Sequence, residues 1–200
     1  MLGALRTIEM RSLRPRRQFL GLTMIELLIT LTIGAILLAL AVPSMREYIA
    51  RKRVSGTATE LAADIRLARS MVQQQNQPIW INFGSTSNYT CYVVFTQGNG
   101  VDYCECNRTS TPMCSAAGSD PPIALRSVFI KISSGITIIP RTTELLYSQA
   151  LGAPELRFGG TANAEIDGGT LGGRVKVIMS GLTKATICSL SSHTAEFGNC

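Results

Sequence analysis

The sequence predicts an α+β protein in which one long N-terminal helix is packed on a C-terminal antiparallel β-domain. An apolar run from Leu22 to Val42 holds a single charged residue, and after Pro43 apolar residues recur at spacings of three and four. From Pro78 onward the chain changes to short β-rich runs divided by Gly, Pro, Asn and Ser. We therefore expect four segments, namely a basic N-terminal stretch over 1–21, an apolar helix over 22–42, an amphipathic helix over 43–77 and a β-domain over 78–200.

The apolar run is long enough to cross a membrane as a helix. About 20 residues at ~1.5 Å rise per residue match a hydrocarbon core of ~30 Å. One acid, Glu9, and five basic residues precede the run, and the positive-inside rule keeps such a stretch in the cytoplasm. These basic residues are Arg6, Arg11, Arg14, Arg16 and Arg17. Everything after Val42 is then expected on the other side of the membrane.

Glu26 is the one charged residue inside the apolar run. An acidic side chain at the centre of a bilayer costs about 2.5 to 3.5 kcal/mol on insertion scales, so its presence suggests a partner or a task. Two alternatives are a plain membrane anchor and a secretory signal cleaved at Ala39-Leu40-Ala41. The secretory signal is disfavoured because its apolar region is usually about 7 to 15 residues long and would not contain Glu26.

The run GLTMIE from Gly21 to Glu26, after a basic leader, resembles the N-terminal signal of type IV prepilins and type II secretion pseudopilins. The resemblance implies that a prepilin peptidase cuts between Gly21 and Leu22 and methylates the new amino group of Leu22. The mature chain would have 179 residues, with Glu26 fifth and Pro43, a helix-kinking proline in many members, at position 22. The sequence departs from the family at two positions. It has Leu22 where the family most often has Phe, and Leu20 where the family most often has a basic residue.

The same resemblance implies a role for Glu26. Cleavage creates a cationic amino group at the edge of an apolar helix, and the carboxylate of a neighbouring subunit can neutralise it, because a buried pair costs less than a buried single charge. Glu26 would thus register an incoming subunit in a filament. The expected partners are other pilin or pseudopilin subunits, the prepilin peptidase and an inner-membrane assembly platform. The expected location is the cell inner membrane with a periplasmic C-terminal domain, and then a pilus or pseudopilus.

The amphipathic helix is predicted to continue to about Gln75, since Pro78 disfavours helix in the residue before it. Its apolar stripe consists of Val54, Ala58, Leu61, Ile65, Ala68 and Val72. Beyond the helix we predict eight strands: Ile79 to Phe83, Tyr89 to Thr96, Val101 to Cys106, Ser127 to Ser133, Ile136 to Ile139, Glu155 to Phe158, Arg174 to Ser180 and Lys184 to Leu190.

All six cysteines lie beyond the apolar run, which fits an oxidising compartment such as the bacterial periplasm. Six cysteines allow 15 pairings. If residues 97–100 form a hairpin loop, Cys91 lies opposite Cys106 on neighbouring strands. Cys104 is then available to Cys114, while pairing of the last two cysteines resembles the C-terminal disulfide loop of pilins. The candidate pairs are Cys91–Cys106, Cys104–Cys114 and Cys188–Cys200.

We expect no enzymatic activity, no metal and no cofactor. Zinc at Cys104-Glu105-Cys106 is the alternative, but the sequence has no paired C-x-x-C spacing, and His193 is its only histidine. A hydrolase would depend on that same histidine, which lies in a Ser-rich tail, and G-x-S-x-G is absent. The glycines at 168, 169, 172 and 173 do not follow a predicted strand and open a helix, as a nucleotide-binding loop requires.

The charge of the chain points to a small basic patch rather than to general nucleic-acid binding. Removal of the leader leaves 14 basic and 12 acidic side chains, and residues 78–200 hold eight of each sign. Between residues 168 and 195 there is no acid, only Arg174, Lys176 and Lys184. These basic residues belong either to a solvated strand face or to a contact with DNA phosphates.

The ending of the chain is most similar to FimT/FimU-like minor pilins and GspH-like pseudopilins. Some FimT-like proteins bind DNA through a C-terminal Gly-Arg-x-Arg motif, whose degenerate matches here are Gly173-Arg174-Val175-Lys176 and Gly181-Leu182-Thr183-Lys184. The resemblance implies a minor pilin of a type IV pilus. Its alternatives are a GspH-like pseudopilin of type II secretion and a FimT-like minor pilin with DNA as a further partner.

Overall fold

The structure is a computed structural model that describes residues 23–96, 103–108, 113–115, 121–142, 144–148, 155–156, 161–180, 185–191 and 196–200. Gly21, Leu22, Lys184 and His193 lie outside the described residues. The chain divides into two units between Ala41 and Val42.

Helix α1 runs over Met24–Gln75, 52 residues with Pro43 inside. Its end at Gln75 confirms the prediction, and the structure supplies a second cause beside Pro78. Asn76 adopts the left-handed conformation with φ of 54° while its N–H donates to the carbonyl of Val72 at 3.0 Å. Asparagine tolerates this conformation, which commonly ends helices.

The first half of α1 is apolar and exposed. An 18-residue stretch within the helix has a mean hydropathy of 2.5, and none of it is buried. By length and composition the helix is able to cross a membrane. Such an apolar surface is suited to lipid or to other apolar helices rather than to water.

The second half of α1 buries one face in the core of the unit over residues 42–200. All six residues of the predicted stripe are buried, which confirms it, and Ala62 and Asp64 are buried beside them. The stripe packs against both sheets, including Ile81 and Tyr92 of one sheet and Ile166 of the other.

Nine antiparallel strands follow α1 in the described part of the chain: β1 Ile79–Ser85, β2 Tyr89–Thr96, β3 Ala124–Lys131, β4 Thr137–Pro140, β5 Glu144–Ser148, β6 Glu155–Leu156, β7 Thr161–Asp167, β8 Arg174–Ser180 and β9 Thr186–Ser189. One sheet has the order β3-β2-β1-β5-β6 and the other β4-β7-β8-β9. The buried hydroxyl of Thr90 joins the two sheets by accepting a hydrogen bond from the N–H of Ile138 at 3.2 Å.

Seven of the predicted strands are confirmed, while β5 and β7 were missed. The strand predicted over Val101 to Cys106 is wrong in its described part, 103–106, where only an isolated bridge pairs Cys104 with Cys114. The strand predicted over Ser127 to Ser133 ends earlier, at Lys131, and residues 132–134 form a 3-10 turn. That turn ends at Gly135, whose φ of 79° favours glycine.

The prediction for the glycine-rich run over residues 168–173 is wrong. The run follows strand β7 and forms a four-residue helix, α2 Gly169–Gly172, contrary to the sequence prediction. Two of its glycines serve packing, because a Cβ at Gly168 would overlap Cγ2 of Val54, and one at Gly172 would lie 3.0 Å from the same atom. Helix α1 therefore lies directly against this turn.

Gly168→Ala is expected to destabilise the unit over residues 42–200 by about 1–3 kcal/mol, the usual cost of overpacking a filled site. The matched control is Gly56→Ala, where a Cβ meets open space in mid-helix and about 0.5–1 kcal/mol of stabilisation is expected. Urea unfolding of residues 42–200 measures both. A Gly168→Ala variant as stable as the parent would show that the turn does not rest on Val54.

Candidate functional site

Glu26 lies in the first turn of α1 with its side chain exposed. The helix begins after Thr23, whose hydroxyl accepts a hydrogen bond from the N–H of Glu26 at 3.3 Å. Thr23 and Glu26 thus have the T-x-x-E spacing of a capping box. This signal is visible in the sequence but was not among the predicted features. The local sequence thus defines where the helix starts.

A buried carboxylate ties the second half of α1 to the first sheet. Asp64 accepts hydrogen bonds from the hydroxyl of Tyr92 at 2.8 Å and from Nε of Arg126 at 2.5 Å. Arg126 also donates to Glu60 at 2.8 Å. Burial and then the bond to Asp64 raise the pKa of Tyr92, and the bond to Asp64 raises the pKa of Arg126. The helix is therefore held to β2 and β3 by a charged cluster as well as by its apolar stripe.

The C-terminal segment is tied to α1. Glu196 forms an ion pair with Lys52 and accepts a hydrogen bond from the hydroxyl of Ser55 at 2.6 Å. The hydrogen bond from Lys52 is the main cause of the lowered pKa of Glu196. Phe197 packs against the core beside them. The chain end thus closes over the helix instead of projecting from it.

Three disulfides are present, and they are the three candidate pairs: Cys91–Cys106, Cys104–Cys114 and Cys188–Cys200. The strand pairing from which Cys91–Cys106 was predicted is wrong, however. Strand β2 pairs with β1 and β3, so that Cys91 lies opposite Gly84 and Phe129. Residues 104 and 106 instead cover the outer face of that sheet, in an apolar cluster with Trp80, Val93 and Phe95.

The basic patch has acidic neighbours that lie outside residues 168–195, the range from which it was predicted. Arg174 forms an ion pair with Asp167 at 3.0 Å, and Lys176 lies opposite Glu165 in the pairing of β8 with β7. Glu165 is in turn bound by both Nε and Nη2 of Arg141 at 3.1 Å, and this bond raises the pKa of Arg141. Both basic residues of β8 therefore face carboxylates of β7.

Residues 16–42 match the family described as the prokaryotic N-terminal methylation motif. The chain carries this methylation motif. The match includes the predicted cut after Gly21 and residues Leu22 and Glu26, and it ends at Val42, the last residue of the apolar run. It supports the resemblance to type IV minor pilins and pseudopilins, and with the apolar helix it indicates membrane anchoring.

Comparison with solved structures finds the crystal structure of the type IV minor pilin FimU of Pseudomonas aeruginosa, strain PAO1. The two chains are 18% identical with a TM-score of 0.47, and the likeness covers 68% of this chain and 89% of FimU. No curated protein matches the chain in sequence.

The described part of the chain contains no cluster of side chains that could bind a metal ion. No three His, Cys, Asp or Glu side chains among the described residues are placed to hold an ion. The cysteine sulfurs that could bind zinc as thiolates are bonded in disulfides instead.

Proposed function

We propose that the protein is a non-enzymatic minor pilin of a type IV pilus, cleaved by a prepilin peptidase between Gly21 and Leu22 and methylated on Leu22. The observation that carries the proposal is the methylation motif over residues 16–42, joined to an apolar helix with an exposed Glu26 in its first turn. Cleavage leaves only Thr23 between Leu22, which carries the new amino group, and Met24, the first residue of the helix. Glu26 of one subunit is then available to the amino group of its neighbour.

In this proposal the precursor is a single-pass inner-membrane protein with a cytoplasmic leader and a periplasmic β-domain. The assembly platform draws the subunit from the membrane into the filament. An apolar helix leaves lipid at low cost only for another apolar environment, because exposing it to water costs about 25 cal/mol per Å². The exposed apolar side chains of residues 24–42 therefore favour direct transfer from lipid into a helical filament core.

The test is the distribution of the protein in its native host. A minor pilin is expected in the sheared-pilus fraction, and deletion of its gene should reduce the number of surface pili. The GspH-like alternative predicts normal pili and a loss of secreted proteins instead. Normal pili together with normal secretion would contradict both assignments.

The FimT-like alternative predicts DNA binding by Arg174, Lys176 and Lys184. The ion pair of Arg174 with Asp167 weakens it, because that guanidinium must leave a carboxylate to reach a phosphate. Alanine at all three positions should abolish salt-dependent binding of DNA to residues 42–200, a range that keeps the core residues of α1. Unchanged binding would exclude this patch. Asp167→Asn, which frees Arg174, should strengthen binding if the patch is used.

A further inference from the structure

A cleft of about 500 Å³ lies beside α1 just beyond its apolar run. The helix contributes Arg46, Ile49, Ala50 and Arg53, and the opposite wall is formed by residues 134–136 and 168–171. This volume is within the range of ~300–1,000 Å³ that is typical of ligand sites. All of these residues belong to the unit over residues 42–200.

The two arginines of the cleft have no carboxylate partner among the described residues. Arg53 donates to the carbonyl of Ser134 at 3.4 Å, and Arg46 takes part in none of the seven ion pairs of the described chain. They are seven residues apart, which places them two turns apart on one face of the helix. Two guanidinium groups over one cleft are suited to a phosphate, which they bind with several donors.

The side chains around the cleft favour a membrane source for that phosphate. The apolar run ends at Val42, and Arg46 follows about one helical turn, ~6 Å, later. Met45, Tyr48 and Ile49 on the same turns are exposed by 57%, 57% and 43%. Exposed apolar residues with a tyrosine and arginines are typical of a segment at the depth of lipid headgroups.

A second copy of this chain is a poorer source of the anion. Nearly all of the described acids whose side chains are placed already have a basic partner within the chain. The exception is Glu26, which belongs to the apolar segment. A phospholipid, in contrast, brings an unpaired phosphate to this depth.

We propose that the cleft between Arg46, Arg53 and the turns at 134–136 and 168–171 binds the headgroup of an anionic phospholipid in the outer leaflet of the inner membrane. The bound lipid holds the first turns of the periplasmic unit at the membrane surface until assembly. This inference rests on the proposed function, which places residues 42–53 on the periplasmic side. It does not depend on whether the filament is a pilus or a pseudopilus.

The test is calorimetric titration of the full-length protein in a neutral detergent. The probes are short-chain phosphatidylglycerol, short-chain phosphatidylcholine and inorganic phosphate. Phosphatidylglycerol is expected to bind at least about tenfold more tightly than either of the others. Arg46→Gln with Arg53→Gln should weaken it about tenfold, since both charge-assisted contacts are lost. The control Arg69→Gln removes one positive charge from α1 outside the cleft and should change the affinity by less than about twofold.

Equal affinity for the two lipids would overturn the proposal, as would an unaffected double variant. Phosphate binding as tight as that of phosphatidylglycerol would show a site for free anions instead. No binding of any probe, with cross-links from Arg46→Cys to another subunit, would assign the cleft to a protein partner. None of these results bears on the N-terminus, which is measured separately by mass spectrometry, so a failure of the lipid site is distinguishable from a failure of the proposed function.

Discussion

Glu26→Ala is expected to leave membrane insertion intact and to lower the amount of the protein in pili at least about tenfold. The substitution removes the only charge of the apolar run, so insertion becomes easier, by up to about 2.5 kcal/mol. It also removes the carboxylate that pairs with the amino group of the neighbouring subunit. An amino group left unpaired in an apolar filament core costs several kcal/mol, which exceeds the ~1.4 kcal/mol of a tenfold effect.

Two variants make this result specific. Glu26→Gln keeps the size of the side chain and removes its charge, so it should fail as Glu26→Ala does. Glu47→Ala removes an exposed carboxylate from the same helix, one that pairs with Arg51 four residues on, and should incorporate normally. The measurement is an immunoblot of membrane and sheared-pilus fractions. Normal incorporation of Glu26→Gln would show that the charge of Glu26 has no part in assembly.

Asp64→Ala is expected to destabilise the unit over residues 42–200 by about 2–4 kcal/mol. It leaves the buried hydroxyl of Tyr92 without its acceptor and removes the less exposed of the two carboxylates that hold Arg126. The expected loss is smaller than for a fully buried pair because Arg126 is 44% exposed and keeps Glu60. The measurement is the urea midpoint of residues 42–200 at neutral pH.

The control for Asp64 is Glu60→Ala, which removes the exposed partner of the same arginine and should cost less than about 1 kcal/mol. Combining Asp64→Ala with Tyr92→Phe should recover part of the loss, since no unpaired hydroxyl then remains buried. Equal effects of Asp64→Ala and Glu60→Ala would contradict the view that burial makes Asp64 the centre of the cluster.

Helix α1 was predictable because its signals are local. The stripe from Val54 to Val72 repeats with the period of a helix, and Pro78 marks its end. Strand β7 was missed because its buried positions at 162 and 164 are alanines, which give little hydrophobic contrast, and because it carries a buried Glu165. That glutamate is bound in the sheet by Arg141, a partner 24 residues away in sequence.

The basic patch shows the same limit of local reasoning. A window from 168 to 195 contains no acid, yet the hairpin of β7 and β8 brings Asp167 and Glu165 against Arg174 and Lys176. Cross-strand neighbours decide whether a charge is free, and strand register is not visible in composition. The cleft at Arg46 was missed for a related reason, since its far wall comes from turns more than 80 residues away in sequence.

Mass spectrometry of the N-terminus of the protein purified from its native host is the decisive measurement for cleavage and methylation. We expect a chain of 179 residues that begins with Leu22 and carries one methyl group on its amino nitrogen. A chain that begins at Val42, or one that keeps residues 1–21, would contradict the assignment to the pilins.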